Sequence, residues 1–276
     1  MPNLRSHQEG SGRGPDREIR KQPLGVNLLR LATAVLLLAL PYGALAEENV
    51  KRPKAVVELF TSQGCNSCPP ADEMLSRLAL AGDVVALAYH VDYWDYLGWR
   101  DTLASADNTA RQQEYNRAFG NRSVYTPQAI VNGRQQMNGA KRGKVEAAIE
   151  RMARTSEGMV VDVKVSYSGD SVIIETGELP RSVDEAHVAL VYFNAASEVE
   201  ITRGENRGRS FTYLNAVSGF HSAGMWHGKK ARFELPMSEV AKKGAGGCAV
   251  LVQEMVSGGL PGPILGAAIV TRPPNW

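Results

Sequence analysis

The 276-residue sequence has only three cysteines and no block of one charge sign. Three cysteines cannot build a disulfide scaffold, and a chain of this length does not need one. Four Cys/His ligands at zinc-finger spacing are absent as well. The formal charge is +2, without the concentrated basic residues of a dedicated nucleic-acid protein, so no nucleic-acid partner is expected. Gly-Xaa-Ser-Xaa-Gly and His-Glu-Xaa-Xaa-His are both missing, so neither a hydrolase elbow nor a common metalloprotease is suggested. What is present, 43% hydrophobic and 22% charged residues, can bury an ordinary core and excludes wholesale disorder.

Long apolar runs are scarce too. Leu31–Leu40 is the core of a stretch nearer a dozen residues than the about 20 of a transmembrane helix. Arg20, Lys21 and Arg30 precede it, Pro41-Tyr42-Gly43 breaks it, and Ala44-Leu45-Ala46 follows. This is the three-part pattern of a secretory signal peptide over residues 1–46. The leader before the apolar run is long for such a signal, as a start codon assigned too far upstream would make it. An uncleaved N-terminal anchor is the alternative. Removal of the segment leaves 25 basic and 26 acidic residues, a periplasmic or secreted protein with no membrane span. Outside the cytoplasm a close cysteine pair can be a disulfide, stable or exchanging.

Residues 47–54 are polar and read as a tether. Ala55–Phe60 is a buried-type strand, Ala71–Ala81 an amphipathic helix and Val84–Tyr89 a second strand, an order that implies a parallel pair. Residues 90–120 form an insertion: an aromatic- and aspartate-rich loop, then a polar helix from Ser105 to Phe119. Gln128–Val131, Asn132-Gly133 and Arg134–Met137 form a hairpin with a type I′ turn, and Lys141–Ala153 is a closing helix. From residue 156 the texture changes to short strands with glycine-rich turns, at 161–165, 172–176, 187–193, 198–202, 230–235 and 248–255. The Gly/Pro-rich stretch Gly258–Gly266 reads as a packed loop. The expected organisation is an α/β domain over 55–155 and an antiparallel, sandwich-like all-β domain over 156–276.

Cys65-Asn66-Ser67-Cys68 is the strongest chemical signal. Two intervening residues let the thiols meet across one turn. At a helix start, unpaired N–H groups and the helix dipole favour the Cys65 thiolate, and Cys68, one turn in, would resolve a mixed disulfide. The spacing alone also fits a structural disulfide or half a metal site.

The segment from Ala55 to about Ala153 resembles the thioredoxin fold, in which a cysteine pair opens the first core helix. That resemblance implies that Pro127, preceded by Thr126, is a cis-proline facing the pair and offering a backbone edge to a substrate; an ordinary trans turn is the alternative. It also implies that Glu58 could stand for the buried carboxylate that moves a proton from the resolving thiol, although it lies one residue farther from the pair. Exposure at the sheet edge is the other reading of Glu58. The Asn-Ser dipeptide replaces the Gly-Pro of thioredoxin. Over residues 55–270 the chain is similar to a bacterial secreted family, domain of unknown function 1223. The likeness runs through Val57–Asp72, His90–Trp99, Val124–Gly133 and Gly204–Arg209. That family carries no established reaction.

His90, Asp92, Tyr93, Trp94 and Trp99 are candidates for a substrate cleft over Cys65. His90, Asp92 and Asp95 could instead bind a metal, but hydrogen-bonded structural roles are favoured, and no metal or cofactor is expected. Glu205 and Arg207 read as structural residues of a polar inter-strand loop, and Cys248 as a buried, unreactive thiol. The expected function is thiol–disulfide exchange with protein or small-molecule thiols and disulfides, electrons coming from another thiol protein. A non-enzymatic binding or adaptor protein with a fixed disulfide is the rival. The β-domain could hold substrate, dock a donor or make a homo-oligomer.

Overall fold

The computed structural model describes residues 52–179, 185–238 and 246–270. The expected signal segment and most of the tether lie outside the described residues. Among those described, no helix is long and apolar enough to cross a membrane.

β1 (Val56–Thr61) is buried along its whole length and pairs in parallel with β2 (Val85–His90), as the strand–helix–strand order predicts. Between them α1 (Pro69–Ala81) opens on two prolines, whose missing N–H groups would have had no helical partner. It closes at Gly82, whose φ of 71° favours glycine. The hairpin β3 (Gln128–Val131) and β4 (Gln135–Asn138) lies antiparallel on the other side of β1. Asn132 and Gly133 both have positive φ, 52° and 63°, as a type I′ turn requires. α2 (Ala106–Ala118) is capped by Ser105, whose Oγ accepts the Asn108 N–H at 3.2 Å. α3 (Arg142–Ala153) packs Val145, Ile149 and Met152 with Met74 and Leu75 of α1 against Val57 and Leu59.

β5 (Val163–Ser168), β6 (Ser171–Thr176) and β9 (Ala231–Pro236) form a three-stranded antiparallel sheet. The remaining strands, β7 (Ala186–Ile201), β8 (Arg209–Trp226), β10 (Gly247–Val256) and β11 (Leu260–Val270), continue the first sheet. Its order is β11-β10-β7-β8-β2-β1-β3-β4. The join is narrow. Ala88 of β2 pairs in parallel with Ala216 of β8, and Asn215 Nδ2 donates to the Ala86 carbonyl at 2.9 Å.

Strand alternation explains the layering. Cys248, Val250 and Val252 of β10 meet Val163, Val172 and Ile174 of the smaller sheet. Ala249 and Leu251, with Val191 and Phe193 of β7, meet Val56, Phe60 and Leu87 and cover the face of β1–β2 opposite α1. The architecture is therefore an α/β thioredoxin-like region followed by a β-sheet region.

Three elements differ from the sequence expectation. β7 is one long strand where two were expected, because β8 pairs along its whole length and absorbs two register shifts. β8 itself gave no signal: its residues are mixed polar and apolar, and only pairing makes them a strand. The stretch expected as a Gly/Pro-rich loop lies largely in β11, whose pairing with β10 shifts register twice between Pro261 and Gly266, an irregularity of the kind where a strand tolerates proline.

Candidate functional site

Cys65 and Cys68 form a disulfide, with Cα atoms 5.4 Å apart, at the mouth of α1. Cys68 is the N-cap residue: its carbonyl accepts the N–H groups of Ala71 and Asp72 at 2.8 and 3.1 Å. It is fully buried, while Cys65 retains 4% exposure and Asn66 and Ser67 are exposed. Neither cysteine belongs to an apolar core cluster.

The Thr126–Pro127 peptide bond is cis. Trp94 ties this loop to the cysteine loop, its indole Nε1 donating to Thr126 Oγ1 at 2.8 Å. A Cβ built on Gly64 would lie 3.3 Å from Trp94 Cβ, so the residue before Cys65 packs directly on that ring's stem. Gly139 marks a second approach, between Ala71 of α1 and Pro127. Tyr96 stacks on Trp94 and is 77% exposed, giving the site an open aromatic rim beside Tyr93.

The opposite side is held by the loop between β7 and β8. Asn206 Nδ2 donates to the carbonyls of Gln63 and Cys65, at 2.9 and 3.0 Å, and Arg209 donates to its Oδ1 at 3.0 Å. Gly204 rests against Trp99, where a Cβ would come within 3.0 Å of Trp99 Cβ. The neighbours singled out in the sequence, Glu205 and Arg207, are exposed. The buried asparagine between them carries the contact.

Beneath the loop lies a polar network. His90 Nδ1 donates to Asp101 Oδ2 at 2.8 Å, and the Gln63 N–H donates to the same oxygen at 2.8 Å. Gln63 Oε1 accepts from Trp99 Nε1 at 2.8 Å and from the Thr102 N–H at 3.2 Å. Burial works to lower the His90 pKa, but the charge and hydrogen bond of Asp101 and the charge of Asp72 outweigh it and hold it above its ordinary value. Asp72, in the first turn of α1, accepts from Thr61 Oγ1 at 2.6 Å. Burial pushes its carboxyl up to about 6, against the Thr61 hydrogen bond and the His90 charge.

The other residues singled out in the sequence are placed elsewhere. Glu58 is buried, not exposed at an edge, and its partners Arg111 and Tyr115 belong to α2 on the face of β1 away from α1. Arg111 also reaches Gln253 of β10 at 2.9 Å. Asp92 accepts from Thr109 at 2.7 Å and Asp95 from the Asp101 N–H at 3.0 Å, so neither is gathered with His90. Among the described residues no group of three His, Cys, Asp or Glu side chains could hold a metal ion. Cys248 is buried, and burial pushes its thiol up to about 12.

Asp72, Asp101 and Asn206 belong to the site although no catalytic motif in the sequence marks them. Asp72 did leave a trace: it is the one acid on the otherwise apolar buried face of α1, four residues after Cys68.

Comparison with known proteins fits this geometry. The profile of the family described as "Protein of unknown function (DUF1223)" matches residues 56–253. The chain belongs to the DUF1223 family. A crystal structure of a protein from Agrobacterium tumefaciens is 43% identical, with a TM-score of 0.72, over 82% of this chain and 97% of that one. HBP35 of Porphyromonas gingivalis is 12% identical, with a TM-score of 0.52, over 80% of this chain and 75% of that one, a likeness of fold alone. No curated protein matches the chain. For this DUF1223 member, a disulfide at CxxC spacing on a thioredoxin-like fold is consistent with redox capability.

Proposed function

We propose that this protein is an exported thiol–disulfide oxidoreductase working through Cys65 and Cys68. The observation that carries the reading is the Cys65–Cys68 disulfide at the mouth of α1, with the cis Thr126–Pro127 loop bound to the residues around it through Trp94. In the reduced protein the Cys65 thiolate attacks a disulfide of a protein or small molecule. One partner sulfur leaves with the electron pair of the broken bond, and a mixed disulfide remains. Cys68 then attacks Cys65, releases the second partner thiol and restores the internal disulfide. A thiol protein outside the chain reduces it again. The aromatic rim of Tyr93, Trp94 and Tyr96 and the edge at Pro127 orient the partner.

A fixed disulfide in a binding protein is the second reading, favoured by the near-complete burial of both cysteines and by the clamp of Asn206. Alkylation after mild reduction, read by mass, separates the two. Exchange predicts rapid labelling of Cys65 with Cys68 protected, and Cys68→Ala should accumulate mixed disulfides at Cys65. Two inert thiols after reduction would leave only the structural role.

A further inference from the structure

The exchange reaction leaves one proton to be placed. When Cys68 attacks, its S–H must give up a proton; in the reverse direction it departs as a thiolate that must gain one. Cys68 is fully buried, so bulk water does not reach it directly. Glu58 is engaged by Arg111 and Tyr115 on the other face of β1.

Resting on the oxidoreductase reading, we infer that Asp72 exchanges this proton with Cys68 and returns it to solvent through the cleft between α1 and β8. Asp72 lies one helical turn beyond Cys68, with its N–H on the Cys68 carbonyl, and side chains at this spacing share a helix face with Cβ atoms about 5–6 Å apart. One carboxyl oxygen is held by Thr61. The other, Oδ2, is buried and has no hydrogen-bond partner. A buried carboxylate with an open oxygen is unfavourable unless a proton resides there or is expected there. The same side chain lines a cleft of about 540 Å³ with Asn66, Pro69, Arg209 and Tyr213, which gives the proton a way out.

The charged and titratable groups around Asp72 come from every neighbouring element. His90 at the end of β2 lowers its pKa and Asp101 raises it; Glu73 of α1 and Arg209 and Tyr213 of β8 share the cleft wall. The net position, about 6, lets the carboxyl hold either form near neutrality. The step balances: Cys68 sulfur bonds to Cys65 sulfur, the Cys65–partner bond breaks, the partner leaves as a thiolate, and the Cys68 proton goes to Asp72 Oδ2.

Reduced full-length protein mixed with dithiobis-nitrobenzoate releases one coloured thiolate when Cys65 attacks and a second when Cys68 closes the disulfide. Cys248 is too buried and too weakly acidic to contribute. The second release should rise with pH through an inflection near 6. Asp72→Asn should slow it about a hundredfold and remove the inflection, leaving the first release within about threefold. Thr61→Val, which removes the hydrogen bond that lowers the Asp72 pKa, should move the inflection upward, and it serves as the test if Asp72→Asn does not fold. A second release in Asp72→Asn within about threefold of wild type, or an unmoved inflection in Thr61→Val, overturns the assignment. Absence of the first release in wild type would instead overturn the oxidoreductase reading.

Discussion

The protein buries two acidic groups within one short stretch of chain and treats them differently. Glu58, on β1, faces away from α1 and meets a permanent cation, Arg111, which also lies over the rings of Tyr89, Tyr115 and Phe220. Its second oxygen accepts from Tyr115, and Gln253 links this group to β10. Asp72, on α1, has a hydroxyl for one oxygen, nothing for the other, and a cleft beside it. The first arrangement is closed and holds the α/β region to the β region. The second is open and sits one turn from a disulfide. Burial is the same in kind; what separates structure from chemistry is whether the charge is fully compensated.

Removing one partner of the closed pair has the largest expected effect. Glu58→Ala leaves the Arg111 charge uncompensated in the core and should cost about 3–5 kcal/mol in urea unfolding. A loss below about 1 kcal/mol would break the contrast. Asp72 should behave in the opposite sense. Its folded pKa, about 6, lies above the ordinary 3.8, so the folded state binds the extra proton and wild-type stability falls as pH rises through that window. Asp72→Asn removes the fall. The variant should therefore gain on wild type by on the order of 2–3 kcal/mol between the acid and alkaline ends of the window, as read by unfolding curves at both. A constant difference across pH would show that the carboxyl is not strained. The smallest effect belongs to Asn206, which satisfies two loop carbonyls. Asn206→Ala should destabilise by about 1 kcal/mol and raise the alkylation rate of reduced Cys65 by freeing its loop.

Much of the first region was legible in the sequence because its signals are local. Ala55–Phe60 anticipated β1, the polar run from Ser105 to Phe119 anticipated α2, and Asn132-Gly133 the turn between β3 and β4. The cis-proline was anticipated from the resemblance to thioredoxins. The candidate site was legible at Cys65, Cys68 and Trp94 and illegible at Asp101 and Asn206. Asn206 acts at carbonyls more than 140 positions away in the chain. Its neighbours Glu205 and Arg207 are the charged residues of the loop, yet they are exposed and the neutral side chain makes the contact.

Glu58 and β8 mark the same boundary. Sequence alone placed an acid on a buried-type strand and cysteines at a helix start, since both follow from short-range periodicity and turn chemistry. Which side of the strand that acid faces against which partner, and that Arg209–Trp226 becomes a strand at all, were decided by pairing between distant segments. Packing of the β region onto the far side of β1 supplies the Gln253 contact that completes the Glu58–Arg111 group, and no window of adjacent residues contains that information.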